Sequence, residues 1–123
     1  MPTAHNELIT IAQASELIRH KQISPVDLVK ECLTVIENLN PILRSFITVL
    51  DEQALNDARD AENEIMAGRW RGPLHGIPIG IKDFYDTAGI PTTAGFIHYS
   101  NRIPAKDAVA VIRIKRAGGI IIG

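Results

Sequence analysis

The sequence predicts an α/β chain: a helical hairpin followed by the strands and helices of a mixed β-sheet. Three observations carry this expectation. Two capped amphipathic segments precede Pro41, an alternating apolar stretch runs from Ile77 to Ile81, and a helical segment after Asp107 leads straight into Ile120-Ile121-Ile122. At 123 residues the chain suits one domain with a real core and is short for two. Its 46% hydrophobic and 22% charged residues are those of a folded globular protein, not a disordered one.

Met1 to Ile9 reads as a short lead-in. Thr10-Ile11-Ala12-Gln13 has the form of a capping box, and Ile11, Ala14, Leu17 and Ile18 fall at helical spacing, so a helix is expected to about Lys21. Ser24-Pro25 starts a second helix, with Asp27 near its positive end. Leu28, Cys32, Ile36 and Leu39 share one face of it, and Asn40-Pro41 is expected to end it. These two helices make the hairpin, over residues 1–41. The β-formers of Ser45 to Leu50 predict a strand. Asp51 is placed as the cap of a third helix through Ala54, Ala58, Ala61 and Ile65, ending at Gly68. Its Asp57, Arg59, Asp60, Glu62 and Glu64 read as a solvated face, and Trp70 as packing over the core edge.

Gly72-Pro73-Leu74-His75-Gly76 marks a turn before the strand Ile77 to Ile81. Pro78 lacks an amide hydrogen and belongs at the strand's start or edge, while Gly80 allows a close approach on one face. Residues 84–95 form a loop rich in Gly, Pro and Thr at a strand end, where α/β proteins place binding groups. Asp107 is placed as the cap of a fourth helix, stopped by Gly118-Gly119. The apolar run Ile120-Ile121-Ile122 then reads as a strand buried on both faces, parallel to Ile77–Ile81 through a right-handed crossover. Residues 45–123 make a partial α/β core with open sheet edges, which is expected to be the front portion of one larger domain.

The chemistry narrows to one residue. Lys82 follows an apolar strand, and desolvation disfavours a charged ammonium, which is how a lysine becomes a base near neutral pH. Residue type alone favours the plainer reading, a strand-end lysine in solvent. Thirteen basic and fourteen acidic residues give a net charge of −1 without blocks of like charge, so nucleic acid is not expected as a direct partner. No apolar stretch nears the roughly 18 residues of a membrane span, and no signal peptide is evident. The lone Cys32 reads as a packed thiol, in keeping with a cytoplasmic location. His5, His20, His75 and His98 lack ligand spacing, so no metal is expected; His75 reads as a surface turn residue. Phosphate-loop, dinucleotide and Gly-x-Ser-x-Gly patterns are absent from the sequence, and no cofactor is implied.

The stretch from Gly72 to Asp83, followed by Asp86-Thr87-Ala88-Gly89-Ile90-Pro91-Thr92-Thr93-Ala94-Gly95, closely resembles the amidase signature family. Ile23 to Val29 is similar to that family's N-terminal helical hairpin, and Asp107 to Gly123 to the helix and strand before its catalytic core. The resemblance implies the N-terminal part of the amidase-signature fold and hydrolysis of carboxamide C–N bonds by a Ser–cis-Ser–Lys triad. It places Lys82 as general base, with Gly80, Asp83, Thr92 and Thr93 in support, Asp83 holding the turn. The nucleophile and the cis-serine would lie beyond Gly123, so the chain alone is expected to be inactive. A small amide substrate is implied; a homodimer of the full-length protein is one arrangement the resemblance allows. Two alternatives stand beside it: the glutaminase subunit of a tRNA-dependent amidotransferase, and a non-catalytic interaction module.

Overall fold

The computed structural model describes residues 9–123, so the expected lead-in, Ile9 apart, lies outside the described residues, as does His5. The elements are α1 (Ile11–Arg19), α2 (Pro25–Leu43), α3 (Asp51–Met66), β1 (Pro78–Ile79), α4 (Val109–Arg116) and β2 (Ile120–Ile121), with one 3-10 turn at Ile97–Tyr99. The α/β class read from the sequence holds. The sheet formed by the described residues is a parallel pair, with Pro78 opposite Ile120 and Ile79 opposite Ile121.

Local chemistry explains the helix starts. The Thr10 amide donates to the Gln13 carboxamide at 2.8 Å, and the Gln13 amide donates to the Thr10 hydroxyl at 3.2 Å. Ser24 Oγ accepts from the amides of Val26 and Asp27, at 3.0 and 3.4 Å. Two other expected caps are displaced by one residue. Leu50 occupies the cap position of α3, and the Asp51 carboxylate instead accepts from the Glu52 amide at 2.9 Å. Ala108 occupies that of α4, because the Asp107 carboxylate is drawn away by Ala88 and Lys115.

The end of α2 also departs from expectation. The helix passes through Pro41 and stops at Leu43, where Arg44 turns left-handed at φ 51°. A proline in the last turn forfeits a single helical bond, so it need not end the helix. The Asn40 carboxamide donates to the Phe46 carbonyl at 3.0 Å and accepts from the Phe46 amide at 2.8 Å. Those two bonds occupy backbone groups a strand would need. Ser45 to Leu50 is accordingly not a strand, and its link to the sheet is the Leu50 amide donating to Ile122 O at 2.9 Å.

Two apolar clusters hold the elements together. In the first, Val26 and Val29 of α2 meet Ala54, Ala58 and Ala61 of α3, with Ile120 and Ile122 beneath. The alanines are small enough to let α2 lie close along α3, and Cys32 packs at the border. Burial pushes the Cys32 thiol up from its ordinary value, with Glu31 adding to the effect. The second cluster joins Ala14 and Ile18 of α1 to Ile65 and Ile77, with Trp70 against its edge. The buried side of the short α1 is thus used against α3 and the β1 entry. α2 packs chiefly on α3, while its Leu28 also borders the α1 cluster.

Gly118 sits where α4 turns into β2 with φ 82°, and an added Cβ would overlap the His75 ring. Gly68, with φ 81°, faces open space. The two positions share backbone strain and differ in room. Gly68→Ala is therefore expected to cost about 1 to 2 kcal/mol, and Gly118→Ala roughly 1 to 3 kcal/mol more, as read by urea denaturation.

Candidate active site

The β1 strand is short because the chain turns out of the sheet immediately after it. Ile81 N still donates to Gly123 O at 2.8 Å, and then the amides of Phe84 and Tyr85 both donate to Lys82 O, at 2.7 and 3.0 Å. Lys82 therefore lies on the turn, exposed, with its Nζ 5.5 Å from the centre of the Phe84 ring. The strand delivers Lys82 to a surface turn and not to the core, so its side chain is exposed in this chain. The side chain borders a cavity of about 570 Å³ lined by residues 45–48, 50, 80–85, 87, 90–92, 94 and 95, with Ile121 and Gly123.

Asp83 faces away from that ammonium into its own loop. Its carboxylate accepts from the Thr93 amide at 3.0 Å and from the Thr93 hydroxyl, and its carbonyl accepts from the Ala94 amide at 2.7 Å. Ala94 is held left-handed at φ 52° as part of this clasp. Thr92 is buried, and its hydroxyl donates to Ile90 O at 3.1 Å, so it braces the loop from inside. Gly80 is exposed, and a Cβ there would lie 3.4 Å from the Phe46 ring, at ordinary contact. The structure thus brings Lys82, Asp83, Gly80 and Thr92 to one cavity, with Thr93 bonded to Asp83 beside it.

A second set of bonds fixes the far side of the loop, and no sequence spacing announces it. Arg102 forks onto the Asp86 carboxylate at 2.7 and 2.8 Å and also donates to Thr92 O at 3.3 Å. The guanidinium holds the Asp86 carboxyl below its ordinary value. Asp107 accepts from the Ala88 amide at 2.7 Å and from Lys115 Nζ at 2.8 Å, the latter bond lowering its carboxyl first and foremost. Loop 84–95 is tied at both ends.

His75 is the plainest correction. It is 1% exposed, not a surface residue, and seats against Gly118 at the entry to both strands. Its Nδ1 accepts from the Arg71 amide at 3.0 Å, which leaves the proton on Nε2, 3.5 Å from a Glu64 carboxylate oxygen. Arg71 forks onto the same carboxylate at 2.6 and 2.8 Å and holds Glu64 below its ordinary value. Among the described residues no group of three or more His, Cys, Asp or Glu is placed to hold a metal, and no helix is long and apolar enough to cross a membrane.

A lysine at a parallel strand end, backed by a clasped Asp-Thr loop, defines an α/β chain with a basic group facing an open cavity. The Amidase family model matches residues 27–123, and the chain belongs to that family. It is 39% identical over 115 residues to the protein AmiD of Mycobacterium tuberculosis, covering 94% of this chain and 24% of AmiD. It is 38% identical over 115 residues to a glutamyl-tRNA(Gln) amidotransferase subunit of a Geobacter species, again covering 94% of this chain and 24% of the relative. The solved peptide amidase of Stenotrophomonas maltophilia superposes with a TM-score of 0.86 at 31% identity, over 99% of this chain and 25% of that one. The chain spans about a quarter of the length of these relatives.

His75 yields a pH prediction. Burial lowers its basicity, outweighing the raising effect of Glu64, while Arg71 lowers it further. The unfolded state therefore binds the proton more readily than the fold does. The neutral ring's contribution is complete above the ordinary histidine value of about 6.5 and is lost as pH falls through the lower folded value. The urea midpoint is expected to drop as pH falls below about 6.5, and His75→Gln is expected to flatten that slope.

Proposed function

We propose that the chain is the N-terminal portion of one larger amidase domain that hydrolyses a small amide with a Ser–cis-Ser–Lys triad, and that Lys82 is its general base. The observation that carries this reading is the placement of Lys82, at the end of β1 and beside a clasped loop, facing the 570 Å³ cavity. Residue 82 owes its position to the ladder and the turn, so a base there is held in place before substrate arrives. In the proposed reaction neutral Lys82 takes a proton, through the cis-serine, from the nucleophilic serine as it attacks the amide carbonyl. The proton passes to the leaving amine, and water then resolves the acyl-enzyme. Asp83 keeps the turn, since Thr93 already donates to it.

Both serines and the oxyanion hole must come from residues outside these 123, which is consistent with relatives about four times as long. Covering the cavity with that remainder would supply the desolvation that Lys82 lacks in this chain. The glutamine-hydrolysing subunit of a glutamyl-tRNA(Gln) amidotransferase is the second reading, favoured by the 38% identity to the Geobacter protein.

In a protein that joins this chain to its serine-bearing segment, Lys82→Ala is expected to lower kcat by roughly a hundred- to ten-thousand-fold. The isolated 123-residue chain is expected to release no ammonia from amides. Turnover that survives Lys82→Ala contradicts the assignment, and so does Lys82-dependent turnover by the isolated chain.

A further inference from the structure

We propose that His75 is a positioning residue for Lys82, the key that fixes which residues of β2 face β1; the inference rests on the reading of Lys82 as the base. The backbone bonds of a parallel ladder are alike in every register, so side chains must choose among registers. Here the strands offer little to choose by. Isoleucine stands at 77, 79 and 81 on one side and at 120, 121 and 122 on the other. A one-residue slip is excluded because it turns Ile120 and Ile122 out of the core. A two-residue slip restores the same faces and still pairs isoleucine with isoleucine. It would carry the end of β1 roughly 6 to 7 Å along β2, and Lys82 with it.

His75 breaks that degeneracy. Its ring is buried and seats on Gly118, where an added Cβ would overlap it and would lie 3.1 Å from the His75 Cα, so the ring cannot simply swing aside. After a two-residue slip Arg116 or Ile120 would take the place of Gly118, and neither side chain has room beneath the ring. The ring is itself held: Nδ1 accepts from the Arg71 amide at 3.0 Å, and Nε2 lies 3.5 Å from Glu64 on α3. Arg71 forks onto the same carboxylate and also donates to Arg116 O, at the end of α4, at 3.4 Å. The entry of β1 is thereby tied twice to the entry of β2, once by ring against glycine and once by guanidinium against carbonyl. Two other close approaches do less. Gly119 meets Ile79 only through the end of a flexible side chain, and Gly123 meets Phe46, which belongs to neither strand. From the His75 end the ladder runs to the Ile81 amide, which donates to Gly123 O one residue before Lys82.

The register of the 123-residue chain is read by cross-strand nuclear Overhauser contacts, Gly76 to Gly118 and Ile81 to Gly123 in the parent. His75→Ala is expected to add a second set displaced by two residues, or to abolish the Ile81–Gly123 contact while the spectrum stays dispersed. Gly118→Ala, which forces the ring off its seat, is expected to do the same. On the His75→Ala background, Gly118→Ala is expected to shift the urea midpoint no more than Gly68→Ala shifts that of the parent. In the longer protein that joins this chain to its serine-bearing segment, His75→Ala is expected to lower kcat roughly a hundredfold with KM little changed. Because His75 acts through Lys82, it is expected to add nothing to the loss caused by Lys82→Ala. The proposal is overturned if a folded His75→Ala chain keeps the parental contacts alone, if its kcat is that of the parent, or if it lowers turnover further on the Lys82→Ala background. Unfolding of both variants overturns it too, since His75 would then hold the fold and not the register. If Lys82→Ala leaves turnover intact, the base reading fails while the register result on the short chain stands.

Discussion

Everything at the candidate site hangs on the parallel pairing of β1 with β2. Gly76 N donates to Gly118 O, Ile120 N to Ile77 O, Ile122 N to Ile79 O and Ile81 N to Gly123 O, at 2.8 to 3.1 Å. These bonds run from the buried His75 at one end to the Lys82 turn at the other. A slip of one residue would turn Ile120 and Ile122 out of the α2–α3 core and move Lys82 away from its cavity. Register is therefore specified by burial, and burial by the small alanines of α3 that let the helices close over β2.

The loop after Lys82 is held differently, by side chains. Asp83 clasps Thr93, Arg102 forks onto Asp86, and Asp107 ties Ala88 to the base of α4. Exposed ion pairs taken singly contribute little to stability. Here their effect is positional, because each bond joins segments ten to nineteen residues apart and leaves the loop few alternatives. The arrangement separates two tasks: the ladder sets where Lys82 emerges, and the clasps set what stands around it.

What the sequence revealed was local, and what it concealed was distant. Capping by Thr10 and Ser24, the start at Pro78 and the apolar strand Ile120-Ile121 all follow from neighbours within a few residues. His75 looked like a turn histidine because nothing nearby shows that Gly118 leaves space for its ring. Asp107 carried a cap signal that a contact nineteen residues away overrode. Ser45 to Leu50 had strand-forming residues, yet Asn40 captures the backbone of Phe46. The residues gathered at the cavity were readable from a motif resemblance, whereas the exposure of Lys82 depended on the turn that follows it.

The most direct measurement is native-state hydrogen exchange on the amides of Ile81, Leu50, Ile120 and Ile122. If the ladder is the organising constraint, Ile120 and Ile122 exchange only by global opening, with Ile81 and Leu50 close behind. The amides of residues 96–103 should exchange far sooner. Equal rates for the two sets would contradict the account, since Lys82 would then stand on a strand end with no fixed register.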